Sequence, residues 1–237
     1  MAAPCLALVP GLNNTAQVWD GAMAGLAGAA DCRALDCPAL DTVEAVADAL
    51  LAQLPQRFFL AGFSFGGYVA LAMLERAPQR VAGLALVNSS ARADTDLQRA
   101  ARAKSILAAQ AGEHESMMAA QAGMVFHPSS LENAALMAQR NAMVRDYGSA
   151  RFVAHLKACS QRPDRTALLA ASACPVLVVA ARDDRVIPAD VQRATAQAMP
   201  HARFVEIADA GHMMPLEQPA ALAQALRTWI TSAPLQP

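Results

Sequence analysis

The chain has 237 residues, a formal net charge of −1 and 55% hydrophobic residues, which suits one domain with a large core and room for an inserted subdomain. Near-zero charge provides no long-range field for nucleic acid or an anionic membrane surface, and no stretch is apolar enough for long enough to span a bilayer. The start, Met1 to Cys5, lacks a secretion signal's basic residues and long apolar core, and Cys5, Cys32, Cys37, Cys159 and Cys174 read as free thiols in a reducing, cytoplasmic setting rather than a disulfide or zinc framework.

Leu6 to Val9 reads as a short strand ended by Pro10-Gly11, and Thr15 to Leu26 has helical spacing with Trp19, Met23 and Leu26 on one side. Cys32 to Leu35 reads as a brief strand. Thr42 is placed to cap a helix running to Leu54, with Val43, Val46, Ala47, Leu50 and Leu54 on one face. Arg57 to Ala61 predicts a buried strand and Tyr68 to Arg76 a helix, with Gly62-Phe63-Ser64-Phe65-Gly66-Gly67 as the turn between them. Val81 to Val87 is an all-apolar strand of the kind covered on both faces of a parallel sheet.

From Ser89 to Ala171 no strand is evident. Arg92 to Ala111, Glu115 to Val125, Ser130 to Val144 and Ser149 to Ser160 all have helical character, punctuated by Gly112, His127-Pro128 and Gly148. Strands resume at Pro175 to Ala180 and Ala202 to Ile207, with helices at Pro188 to Ala198 and Glu217 to Thr231. The alternation predicts an open, mostly parallel α/β sheet. The helical stretch reads as a lid on the side where the strands end.

Ser64 sits on a turn tight enough to demand small neighbours, because a Cβ at Gly62 or Gly66 would strike the adjoining strand or helix. Such a turn lifts the hydroxyl clear of the sheet and sets it at a helix N-terminus. A serine attacks only when a base takes its proton, and a carboxylate usually holds that base. Of the five histidines, only His212 lies where a strand runs out into a loop, and Gly211 is expected to let that loop turn back. Asp183 and Asp184 follow the Pro175 to Ala180 strand, where ligands gather in such sheets; at most one faces His212, the other making a loop contact. The end of the Val81 to Val87 strand carries Asn88, Ser89 and Ser90 and no acid.

Together these residues resemble the α/β-hydrolase superfamily, specifically its short bacterial esterase-like branch with a helical cap, along nearly the whole chain. Ala181-Arg-Asp-Asp-Arg-Val-Ile-Pro188 is similar to the family's acid loop and puts the acid on Asp184; Gly211-His212 with Glu217-Gln-Pro219 is similar to its histidine loop. Pro10-Gly11 stands where the family has His-Gly, and the alignment implies an oxyanion hole from the backbone N–H groups of Leu12 and Phe65.

The resemblance also implies a sheet of about six strands whose first strand is interior, a core from residues 1–90 and 166–237, and a cap from 91–165. It implies Ser64, Asp184 and His212 as the catalytic triad of an ester hydrolase that needs no cofactor and acts on small to medium apolar acyl esters. Thioesterase, lactonase, C–C bond hydrolase, cofactor-free perhydrolase and non-catalytic ligand receptor stay open, and so does monomer against homodimer. Met124, Phe126, Met137 and Met213, with Met117, Met118, Val125, Met143 and Met214, are candidate pocket liners. Arg140, Arg145, Arg151 and Arg162 could hold a substrate carboxylate, although a solvated helix face explains them equally well.

Overall fold

The protein is described by a computed structural model over residues 3–199 and 201–232. Met1 and Ala2, part of the chain start read above, and the last five residues of the expected 166–237 core segment lie outside the described residues.

Six strands form one parallel sheet: β1 (Cys5–Val9), β2 (Asp31–Ala34), β3 (Phe58–Phe63), β4 (Val81–Val87), β5 (Val176–Ala181) and β6 (Arg203–Ile207). Their order across the sheet is β2-β1-β3-β4-β5-β6, so the first strand is indeed interior. Strands β3 and β5 are buried at every position, as residues covered on both faces must be. Successive side chains serve opposite faces. Leu6, Leu8, Phe59, Ala61, Phe63, Leu177 and Val179 pack beneath α1 (Asp20–Leu26) and α11 (Pro219–Ser232). Ala7, Val9, Phe58, Leu60, Val176 and Val178 pack against α2 (Val43–Leu51), α3 (Phe65–Arg76) and α9 (Ala189–Gln197).

Between β4 and β5 run α4 (Asp96–Gln110), α5 (His114–Ala120), α6 (Ala122–Val125), α7 (Ala134–Gln161) and α8 (Thr166–Ala170). Ala109, Met118, Val144, Tyr147, Phe152 and Leu156 give this segment a small core of its own, onto which Leu12 packs. The two helices expected on either side of Gly148 are the arms of α7, joined through that glycine's non-helical backbone (φ 75°, ψ 156°), which a side chain would disfavour. No helix among the described residues is long and apolar enough to cross a membrane.

Several boundaries move. The helix α3 begins at Phe65 rather than Tyr68, because Gly66 and Gly67, poor helix formers, are retained for close packing. Thr42 caps α2 as expected, its Oγ1 accepting from Ala45 N–H at 3.1 Å, but the helix stops at Leu51. A separate turn, α10 (Met214–Glu217), precedes the last helix, which starts at Pro219 rather than Glu217; proline suits a first helical position.

Candidate active site

Ser64 has φ 51° and ψ −115°, a backbone conformation that an ordinary L-residue avoids. Three contacts hold it there. Its N–H donates to Val87 O at 2.9 Å, its C=O accepts from Gly67 N–H at 2.9 Å, and Ser89 Oγ donates to the same carbonyl at 2.8 Å. A Cβ on Gly62 would lie 2.3 Å from Gly66 O, and one on Gly66 would lie 2.2 Å from Val9 O. The turn therefore closes only with glycine at both places, one facing the helix and one facing β1.

The histidine loop follows β6. His212 Nε2 lies 2.8 Å from Ser64 Oγ, and His212 Nδ1 lies 2.8 Å from Asp184 Oδ2. Because a carboxylate only accepts, Nδ1 carries the proton and Nε2 is left to accept from the serine hydroxyl. Asp184 Oδ1 accepts from the N–H groups of Val186 (2.8 Å) and Ile187 (2.9 Å), and Gln192 Nε2 approaches Oδ2 at 3.5 Å. Asp183 points elsewhere and lies 3.8 Å from His127 Nε2. The structure thus brings Ser64, Asp184 and His212 into one hydrogen-bonded chain, with Asp184 and His212 both buried.

Gly211 acts differently from the expectation. The positive φ in this loop belongs to Asp209 (54°), whereas Gly211 lets the loop pass under the 125–127 segment: a Cβ there would lie 2.7 Å from His127 N. Met213 N–H donates to Val125 O at 3.0 Å and draws the two segments together.

Two residues that sequence reasoning passed over fix this arrangement. Asn88, fully buried at the end of β4 with φ 44°, donates from Nδ2 to the carbonyls of Gly211 (3.2 Å) and His212 (2.9 Å), while its Oδ1 accepts from Ala181 N–H (2.8 Å). It joins the strand that leads to Asp184 with the loop that carries His212. Its signal in the sequence was a residue tolerant of positive φ at the C-terminal end of an apolar strand. Glu217 accepts from Gly211 N–H (2.9 Å), His127 N–H (2.7 Å) and Ser130 Oγ (2.8 Å), and burial pushes its carboxyl above the ordinary range. We expect Asn88→Ala to orphan three buried backbone groups and to lower stability by about 3 kcal/mol. Urea unfolding reads that loss, and a fall in kcat would accompany it as His212 loosens.

The amide of Phe65 opens α3 and is among the helix N–H groups without an intrahelical acceptor. Leu12 lies on the Pro10 to Asn14 loop, where Asn14 Nδ2 donates to Leu12 O at 2.7 Å. The neighbouring Asn13 (φ 60°) pairs through Oδ1 with His114 Nε2 at 2.7 Å, tying this loop to α5.

On the other side, the Phe65 ring stacks on His155 of α7, centroids 4.5 Å apart. His155 Nε2 donates to Pro38 O at 2.7 Å, so Nδ1 is the acceptor for the Tyr147 hydroxyl. Burial pushes the pKa of His155 down to about 4. An unfolded histidine takes up its proton near pH 6.5 and the folded one refuses it. The stability from this site is therefore complete above about pH 6.5 and falls by about 3 kcal/mol as the pH drops to about 4. Denaturation at stepped pH should show a shallower fall in His155→Gln.

A cavity of about 590 Å³ opens beside Ser64 and His212, walled by Leu12, Phe65, Tyr68 and Met213 from the sheet side and by Gln98, Arg102, Met118, Met124, Arg140 and Phe152 from the inserted helices. Of the candidate liners, Met118, Met124, Val125 and Met213 stand on its wall. Phe126 and Met137 do not. Phe126 is buried, and Met137 packs with it onto the cluster containing Phe63, Met143 and Met214, because the Val125–Met213 bond pulls the segment inward and carries the ring below the cavity wall. Met117 and Met143 are core residues as well.

The comparisons agree with this architecture. A thermophilic esterase from Thermogutta terrifontis, solved with malate bound, superposes with a TM-score of 0.90 at 27% identity, covering 98% of this chain and 91% of that one. Among curated proteins, "Putative carbamate hydrolase RutD" of Azorhizobium caulinodans is 29% identical over 62% of this chain and 56% of its own length. A pimeloyl-[acyl-carrier protein] methyl ester esterase of Nitrosomonas europaea is 32% identical over 37% of this chain and 38% of its own length. The chain thus spans little more than half the length, or less, of these curated relatives. The family model described as the alpha/beta hydrolase family matches residues 6–225, and with the six-stranded parallel sheet and its strand-to-helix serine turn, it establishes that the chain belongs to the alpha/beta hydrolase family.

Proposed function

We propose that this protein is a serine hydrolase that cleaves carboxylic esters with small to medium, largely apolar acyl groups. The observation that carries the reading is the unbroken chain of 2.8 Å contacts from Ser64 Oγ through His212 to Asp184. In this scheme His212 Nε2 takes the serine proton as Oγ bonds to the acyl carbon. The amides of Leu12 and Phe65 receive the oxyanion, each contributing about 3 kcal/mol to the transition state. Protonated His212 then gives its proton to the departing alkoxide. A water, deprotonated by His212, attacks the acyl-serine, and the acid leaves with Ser64 restored. Asp184 keeps the imidazole in the required tautomer throughout.

Residues 91–165 serve as the cap over the site, a role supported by their placement between β4 and β5 and by the side chains they give to the cavity wall. The cytoplasmic setting rests on the five free thiols. The name of the Azorhizobium relative favours a second reading: a carbamate presents the same carbonyl to the same serine. Incubation with a fluorophosphonate and with p-nitrophenyl acetate and butyrate tests the proposal. We expect one adduct, on Ser64, and many turnovers per protein; an intact fold that neither labels at Ser64 nor turns over any ester refutes it.

A further inference from the structure

Arg140 of α7 is 5% exposed, yet it stands on the wall of the cavity that holds Ser64 and His212. Its Nη2 donates to the Met118 carbonyl, and Nη1 reaches Asn141 Oδ1 only at 3.5 Å. Among the described residues no carboxylate lies within 4 Å of its guanidinium. A buried cation without a counter-charge is unfavourable, and burial here disfavours the charged form. Arginine nonetheless remains charged, and its fork of donors matches a carboxylate in plane and spacing.

A second arginine shares the same wall. Arg102 of α4 is held by Asp94, whose Oδ1 also accepts from Arg162 Nη1 at 2.6 Å. One carboxylate thus faces two guanidinium groups and leaves a positive charge uncompensated beside the cavity. Among the described residues, neither aspartate nor glutamate contributes to the cavity wall. The same wall carries the apolar Met118, Phe152 and Leu156 together with the neutral polar Asn13, Gln98 and Gln121.

From this unneutralised cationic wall in the cavity that holds Ser64, we propose that the site takes an ester bearing a second, free carboxylate, received by Arg140 with Arg102 adding to the field. The proposal rests on the ester-hydrolase reading above and narrows its substrate to half-esters of dicarboxylic acids. Water enters the ester bond, the alcohol departs, and the dicarboxylate is released.

The test compares kcat/KM, by titration of released acid at constant pH, for monoethyl esters of straight-chain dicarboxylic acids of about four to eight carbons with the matching ethyl alkanoates. The best half-ester should exceed its neutral counterpart by roughly 10- to 100-fold, with the ratio falling toward one in Arg140→Gln and less far in Arg140→Lys. A wild-type protein that hydrolyses the neutral esters as well as or better than the half-esters overturns the proposal, whatever the variants do. Should neither ester class turn over, the fluorophosphonate and p-nitrophenyl ester test decides the hydrolase reading, and calorimetry with adipate decides the carboxylate site by itself. Binding that Arg140→Gln weakens by at least about tenfold keeps the site, and no binding to the wild type removes it.

Discussion

On the proposed mechanism, Ser64→Ala is expected to lower kcat on the best ester found by at least ~10⁴, leaving only what the Leu12 and Phe65 amides and substrate binding would supply. The size follows from the contacts around the residue. The side chain makes no capping bond to α3 and spends its hydroxyl on His212, so the fold depends little on that oxygen. Alanine keeps the backbone bonds to Val87 and Gly67 and removes only the attacking atom. Circular dichroism and the urea midpoint should therefore match the wild type while turnover collapses. Unchanged turnover would mean that another group forms the acyl intermediate.

The second large effect is expected from Asp184→Asn, about 10⁴ in kcat. The loop amides decide which way the new side chain faces. Val186 and Ile187 both donate to Oδ1, so the asparagine must keep its carbonyl oxygen there and turn its NH₂ toward His212 Nδ1. Nδ1 then becomes an acceptor and Nε2 carries the proton, which leaves nothing to receive a proton from Ser64. Stability should change little, since the shape and the two loop bonds persist. Paired kcat and unfolding measurements on this variant separate a tautomer defect from a folding defect: a variant that loses stability and activity together would point to the latter.

Much of this arrangement was readable in the chain itself. The strand Val81–Val87 was placed to the residue because an unbroken apolar run lies between Arg80 and Asn88. Ser64 and His212 were singled out because each follows the end of a strand, where polar residue types are conspicuous; that position offered Asp183 and Asp184 alike, and the family resemblance put the acid on Asp184. What escaped was whatever depends on approach between distant segments. Asn88 was noted only as a polar residue ending a strand, because its partners lie more than a hundred residues away in the histidine loop. The sequence offered Arg140 and Arg145, with Arg151 and Arg162, as equal candidates. Only the packing of α5 against α7 buries Arg140 and leaves Arg145 exposed. The methionines failed the same way, since a flexible thioether fits a core and a pocket alike.

The inserted helices leave the sheet after β4 and return at β5, so they interrupt the chain without interrupting any strand pairing. Arg102, Met118, Met124 and Arg140 all belong to that excursion, whereas Ser64, Asp184 and His212 belong to the scaffold beneath it. On the proposed reading, the chemistry is written in the scaffold and much of the cavity wall in the excursion. On that reading, substitutions in the excursion would redraw the guest list while the Ser64–His212–Asp184 contacts beneath stay as they are.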